Sequence, residues 1–223
     1  SAAIVIGGPG AVFWMWVMAL LGASTAFMES TLAQLYKRKG EDAFYGGPAY
    51  YMQYGLHRRW MGVLFAVFIT FGFGIANQIV QSNTLCDALG TAWGFSPAYI
   101  AMILTVMTLF IIFGGIQSIA KVSSIMVPFM ALGYILLALV IIIMNITAIP
   151  EVFSLIISHA FGWEQGLAGG LGAAIQQGIR RGLYSNEAGM GSAPNVAATA
   201  DVSHPVKQGK VQAISVFSDT LII

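Results

Sequence analysis

The chain is 223 residues long, 57% hydrophobic and only 9% charged, with a formal net charge of +1 and a mean hydropathy of +0.79. A soluble domain carries about 25% charged residues, and its helices keep a polar face, so this composition excludes a soluble globular domain. A single cysteine, Cys86, excludes a disulfide framework and a thiolate metal cluster.

Charge is absent in long blocks: from Ser1 to Met28, Met61 to Cys86, Ala88 to Ala120, and Val122 to Pro150. A spanning helix needs about 20 apolar residues to cross a hydrocarbon core about 30 Å thick, and every block is long enough. Apolar runs and chain breakers then predict the elements in order. The tail of one helix, Ser1 to Ile6, ends at Gly7-Gly8-Pro9, and a full helix runs from Ala11 to Tyr36. The loop Lys37 to Arg59 holds a short amphipathic piece, Pro48 to Leu56. A second span covers Met61 to Leu85, followed by a turn with Asp87 and Gly94; a third covers Pro97 to Ile119, closed by a tight turn at Lys121. The fourth is Met126 to Ile146, and Ala148 to Phe161 is short enough to lie at the interface. A Gly-rich fifth span covers Gln165 to Leu183, a polar loop follows, and a sixth span begins near Val211. With Ser1 inside an apolar segment and Ile223 a dozen residues into another, the sequence reads as a piece of a longer transmembrane domain, one domain incomplete at both ends.

Threading these spans through a bilayer puts Lys37, Arg38, Lys39, Arg58, Arg59, Lys121, Arg180, Arg181, Lys207 and Lys210 on one side. The other side carries Asp87, Glu151 and Glu164. Cytoplasmic loops are enriched in Lys and Arg, so the Lys37–Arg59 loop is expected inside the cell and Asp87 and Glu151 outside. At membrane edges these basic residues read as topology signals or lipid-headgroup contacts, not as a nucleic-acid surface.

Several polar groups within the apolar segments are candidates for chemistry. Gly166, Gly169, Gly170 and Gly172 crowd the start of the fifth span, with Gln176 and Gln177 further on. Two readings fit: a helix broken at the bilayer midplane, whose freed backbone groups bind substrate and cation, or a small-residue packing face with Gly166 and Gly170 four apart. Gln81 sits deep in the second span with Asn77 and Gln78 nearby, and a buried amide must find partners, either a substrate or another helix. Asp219, with Thr220, is an intramembrane carboxylate placed for a cation path or for the hydrated end of its helix. Glu29 is expected as an inner-gate or interface carboxylate, paired with a basic loop residue. Arg180, Arg181, Asn186 and Glu187 lie at the cytoplasmic mouth, either as a gating network or as a solvated basic end. His57, His159 and His204 fall in separate loops and form no metal site, and Gly189-Met190-Gly191-Ser192 is no nucleophile elbow because no strand precedes it. A membrane enzyme would need convergent His, Asp or Cys chemistry in the spans, and a channel a polar pore-lining stripe.

The segment Gly7 to Gly22, GGPGAVFWMWVMALLG, is the most specific motif in the chain. Its paired Gly7 and Gly8, small Gly10 and Ala11, then Phe13, Trp14, Met15, Trp16 and closing Gly22 resemble the signature of the alanine or glycine:cation symporters, the sodium:alanine symporter family. Gly46-Gly47-Pro48, Ala76 to Asn83, Arg180 to Pro194 (RRGLYSNEAGMGSAP) and Pro205 to Gly209 resemble further segments of that family, in order over all 223 residues.

The resemblance implies an all-α polytopic membrane protein, part of a leucine-transporter-like bundle of two inverted five-helix repeats. In that alignment Ser1–Ile6 ends core helix 1, the Gly-rich span is core helix 6, and the chain closes at the start of core helix 7. It implies secondary active transport of alanine or glycine by alternating access, coupled to sodium or sometimes to protons, in the cytoplasmic membrane of a bacterium or archaeon. The alternatives are proton-coupled or exchange transport of another amino acid. Substrate contacts are expected at Gln81, Asn77, Gly169, Gly170, Leu171, Gly172 and Gln176, with Asp219, Thr220, Glu29, Arg181 and Glu187 on a cation path or gate. The family's first-helix break and its eighth helix, which helps hold sodium, have no counterpart in this chain. Leu171 departs from the aromatic common after the glycine pair, which would leave more room for the substrate side chain. No resident cofactor or metal is implied beyond transported sodium; the partners are the amino acid, sodium and membrane lipid, with no nucleic acid and no oligomeric state specified.

Overall fold

The computed structural model describes residues 2–41, 43–161 and 168–222. Helix α1 is Ala2–Gly7, α2 Gly10–Leu35, α3 Pro48–Tyr54 and α4 Arg59–Ile69. A π-helical segment, Thr70–Asn77, leads directly into α5, Gln78–Trp93. Then come α6 Pro97–Phe113, α7 Gly115–Met144, a 3-10 turn at Ile146–Ala148, and α8 Ile149–Ala160. The last elements are α9 Ala168–Asn186, α10 Ser192–Ala197 and α11 Pro205–Ile222. A two-stranded antiparallel ladder, β1 Arg38–Lys39 with β2 Phe44–Tyr45, pairs Arg38 with Tyr45 and Lys39 with Phe44. Among the described residues, three helices, Gly10–Leu35, Arg59–Trp93 and Gln117–Met144, are long and apolar enough to cross a membrane.

The chain divides into two compact units, 1–65 with 141–223, and 66–140. The first is organised around α2. Its buried residues include Ala11, Met15, Ala19, Ala23, Ala26, Ser30 and Ala33, a stripe of mostly small side chains at helical spacing. Between helices in a bilayer there is no water to exclude, so association depends on close backbone approach. That is how α9 and α11 pack here. A Cβ on Gly178 of α9 would lie 2.5 Å from the Ala11 carbonyl oxygen and 2.5 Å from Trp14 Cβ, and one on Gly182 would lie 2.8 Å from Met18 Cβ. On α11, a Cβ at Gly209 would collide with Thr31 Oγ1 and lie 2.8 Å from the Phe27 carbonyl oxygen. Ala188 and Val216 complete a small buried cluster with Ala19, Ala23 and Ala26.

The signature segment turns the chain and joins three helices. Gly8, at φ +69, sits in the left-handed region that glycine enters at little cost. Gly7 approaches Gln177 of α9, and Gly10 the backbone of His159 and Ala160 at the end of α8. The Trp14 indole N–H donates to the Ala160 carbonyl at 3.1 Å, satisfying one of the acceptors that a helix C-terminus leaves open. Phe13, Trp14 and Phe161 form an aromatic cluster, and Trp16 pairs with Phe153. The segment read as interfacial, α8, therefore packs on α2 and α9.

In the second unit, Gly94 ends α5 in the left-handed conformation, and Pro97 opens α6 at a position where its missing N–H costs nothing. The next turn differs from the expected one. The chain reverses at Gly114-Gly115, with Gly115 at φ +71, and Lys121 lies within the second turn of α7, not at the reversal. A lysine near a helix end reaches the interface along its own aliphatic stem, so charge marked the end of the span but not the residue that turns it. The sixth span likewise begins at Pro205, six residues before Val211, because Pro is well tolerated in the first turn of a helix. Pro128 lies inside α7, as spanning helices tolerate. Large apolar side chains such as Phe110 and Phe129 are exposed along these helices, the surface expected of segments solvated by lipid.

Candidate functional site

Three of the motif segments, Gly46-Gly47-Pro48, Arg180–Pro194 and Pro205–Gly209, come together on α2. Helix α9 stops at Asn186, and the chain then passes through Glu187 at φ 49, Gly189 at φ +85 and Gly191 at φ +78. A left-handed residue after a helix is a common stop, but usually a glycine; Glu187 takes that conformation and its carboxylate accepts a hydrogen bond from the Ser192 hydroxyl. The Gly189 N–H donates to Glu29 Oε2 at 3.2 Å, tying the loop to α2. Glu29 thus pairs with a backbone amide where the sequence had suggested a basic side chain. Gly191 packs against Pro48 and Phe65, and Asn195 Nδ2 donates to the Gly191 carbonyl at 2.8 Å.

The Gly46-Gly47-Pro48 motif closes the other side. A Cβ on Gly47, at φ +119, would strike the Asn195 side chain; one on Gly46 would crowd Ala198 and the Ala33 carbonyl; Pro48 is fully buried. From α2, Gln34 Nε2 donates to the carbonyls of Ala197 (2.5 Å) and Ala200 (2.9 Å), and Lys37 Nζ to Ala200 at 2.8 Å. Lys37 also sits over the Phe44 ring and Arg38 over that of Tyr54. Tyr51 on α3 has its phenol pushed up to about 12, mainly by burial and then by the negative charge of Glu29. It therefore stays a neutral donor at every physiological pH.

A second polar seam joins α9 to α11. Ser185 donates to Asp219 Oδ2 at 2.5 Å, and Thr220 to Asn186 Oδ1 at 2.9 Å and to the Val216 carbonyl at 3.1 Å. Consecutive residues on one helix thus pair with consecutive residues on the other. Asn186 Nδ2, Arg181 Nε and Ser30 Oγ are buried without a hydrogen-bond partner. Buried polar atoms without partners are rare and mark places where water, a ligand or a rearrangement completes the set.

Of the residues expected to bind substrate, Gly169, Gly170, Leu171 and Gly172 lie in the first turns of α9, which is helical from Ala168 onward. Gly166 and Glu164 lie outside the described residues. Gly172 and Gln176 are exposed, with open space at Gly172. The close packing on this helix is made instead by Ala174, Gly178 and Gly182, four apart, a stripe the sequence reading passed over. Asn77 and Gln81 belong to the other unit; Asn77 is the last π-helical residue, and Gln81 is exposed on α5. Downstream on α5, Asn83 donates to Asp87 at 3.3 Å. Gln34 and Asn195 were not singled out from sequence. The available signal was a lone amide on the small-residue face of an apolar helix, which must be satisfied by something long-range.

Long apolar helices, glycine-mediated helix contacts and a motif loop fastened by hydrogen bonds to a central helix define an integral membrane protein of the helix-bundle type. The chain belongs to the sodium:alanine symporter family, whose model matches residues 1–223. It is 54% identical over 223 residues to the "Probable sodium/glutamine symporter GlnT" of Bacillus subtilis (strain 168), covering 100% of this chain and 47% of the relative. It is 56% identical over 224 residues to the "Amino-acid carrier protein AlsT" of the same organism, covering 100% and 48%. To the "Sodium/alanine symporter AgcS" of Methanococcus maripaludis it is 44% identical over 231 residues, covering 100% and 50%. The chain therefore spans about half the length of the curated relatives it matches.

Proposed function

We propose that this chain is part of a secondary transporter that couples sodium to the uptake of a small neutral amino acid, alanine or glycine, by alternating access. The observation that carries the reading is the match of the whole chain to the family. The architecture proposed is a leucine-transporter-like bundle of inverted repeats in a prokaryotic cytoplasmic membrane, multi-pass, with the Lys37–Arg59 loop on the cytoplasmic face. Gln81, with Asn77 on the same helix, offers amide groups to the amino acid's charged ends. The glycines opening α9 leave backbone groups free for ligand or cation. Asp219, held by Ser185, and Thr220, held to Asn186, stand on the cation path or its gate, and Glu29 with Gly189 fastens the inner loop.

The test is uptake of labelled alanine and glycine by the full-length protein in proteoliposomes, with and without an inward sodium gradient. Accumulation that needs sodium and is lost in Gln81→Ala supports both the activity and the residue. Accumulation driven by a proton gradient alone moves the coupling ion, and no uptake of either amino acid overturns the substrate. A glutamine substrate is the second reading, favoured by the 54% identity to a relative named for glutamine; labelled glutamine belongs in the same assay. The room left by Leu171 suits the larger side chain, and Leu171→Phe is expected to shift preference toward the smaller substrates.

A further inference from the structure

The helix that carries Asn77, Gln78 and Gln81 is not α-helical throughout. Between α4 and α5, residues Thr70–Asn77 (TFGFGIAN) form π turns, with no interruption of the helix on either side. A π turn bonds residue i to i+5 and so holds one residue more than an α turn; such turns are rare and lie frequently at functional sites. Two glycines lie inside this one. A Cβ on Gly72 would meet nothing within 4 Å, and one on Gly74 only Thr70 Cγ2 at 3.9 Å. No close neighbour explains the absence of a side chain at either position, so what the glycines contribute is the backbone itself, which without Cβ leaves the α conformation most readily. The polar residues begin where the segment ends, at Asn77, Gln78 and Gln81.

We propose that Gly72 and Gly74 are positioning residues: they hold a one-residue surplus in this helix, and that surplus sets the face on which Gln81 stands. This inference rests on the reading of Gln81 as a substrate contact. In an α-helix each residue advances the face by about 100°. Were the segment to become α-helical at its present length, every residue after it would turn by that angle relative to the turns before it. Val80 would then occupy the face of Gln81, replacing an amide with an apolar group.

Deletion gives the sharpest test. In a helix that is α throughout, removing one residue turns everything beyond it by one position; in this helix, removing Gly74 takes out the surplus and leaves both flanks in register. Single cysteines are placed at positions 78 to 85, one per protein, in a full-length Cys86→Ala background and labelled in proteoliposomes with a membrane-impermeant thiol reagent. The expected result is that the most reactive position retains the face of Gln81 in the deletion protein and shifts from 81 to 80 in Gly72→Ala/Gly74→Ala. In the alanine pair the KM for the amino acid is expected to rise roughly tenfold, the affinity equivalent of one lost hydrogen bond, while the amount of folded protein in the membrane is unchanged. A pattern that turns by one position on deletion overturns the proposal. If the deletion protein does not fold, the alanine pair decides: reactivity remaining at 81 overturns it. A pattern that behaves as expected while Gln81→Ala leaves uptake intact supports the register role and removes Gln81 as a substrate contact, which separates the two failures.

Discussion

Gln34 connects α2 to a distant part of the first unit through its side chain. It is 4% exposed, and its amide donates to the carbonyls of Ala197 and Ala200, more than 160 residues away. Truncation would leave the Ala197 carbonyl only the longer bond from the Ala200 N–H at 3.4 Å, and a lost hydrogen bond costs about 0.5–1.5 kcal/mol. Gln34→Ala is therefore expected to lower the thermal midpoint in detergent, whereas Val196→Ala, a highly exposed position on α10, is expected to leave it unchanged. Tyr51 gives a pH signature. Its ordinary value of 10.0 is pushed up to about 12, so between those values the unfolded chain releases a proton that the folded chain keeps. Its contribution is flat below pH 10 and is lost as pH rises from 10 toward 12. Tyr51→Phe is expected to reduce the alkaline loss of stability between pH 10 and 12 and to leave its pH dependence below 10 unaltered, read from unfolding midpoints across that range.

At the scale of elements, helices meet where side chains are smallest, and this separates glycines that look alike in the sequence. Gly178 has a backbone oxygen and a side-chain carbon at 2.5 Å from where a Cβ would sit; Gly172, on the same helix, has open space. Adding a methyl group at Gly178 must push α2 and α9 apart, at about 1–3 kcal/mol. At Gly172 it meets nothing and gains helix propensity, up to about 1 kcal/mol. Gly178→Ala is expected to lower the thermal midpoint and Gly172→Ala to hold or raise it. A fall in uptake by a stable Gly172→Ala protein would then report on the ligand and not on packing. Sequence patterning had drawn attention to the crowding of glycines from Gly166 to Gly172, because density is visible in one dimension. Which face of α9 meets α2 is not, so Ala174, Gly178 and Gly182 stayed hidden among ordinary helix residues. The same limit explains the turn at Gly114-Gly115: Lys121 advertises the membrane boundary, but φ +71 at Gly115 makes the reversal.

Across the molecule, the long apolar blocks and most helix bounds were legible because burial in lipid imposes a run length, and the motif at Gly7–Gly22 was legible because its glycines and aromatics are too specific to arise from composition. The meeting of Gly46-Gly47-Pro48, Glu29, Gln34 and the loop 187–198 was not, since each segment lacks any local sign of its partner and only the packing of α2, α9 and α11 brings them together. In the topology we propose, the Lys37–Arg59 loop and Lys207 share one side of the bilayer, and the hydrogen bond from Lys37 to Ala200 joins the same two stretches directly. The same proposed topology assigns Asp87 and the turn after α5 to the opposite side. Impermeant maleimide should therefore label Glu41→Cys and Ser203→Cys from the same face of oriented vesicles and Thr91→Cys only from the other, each in the Cys86→Ala background. Labelling of Glu41→Cys and Ser203→Cys from different faces would contradict the contact between α2 and the loop before α11. Labelling of all three from one face would leave that contact intact and overturn the topology, because the helix Arg59–Trp93 would then have to re-enter the side it left.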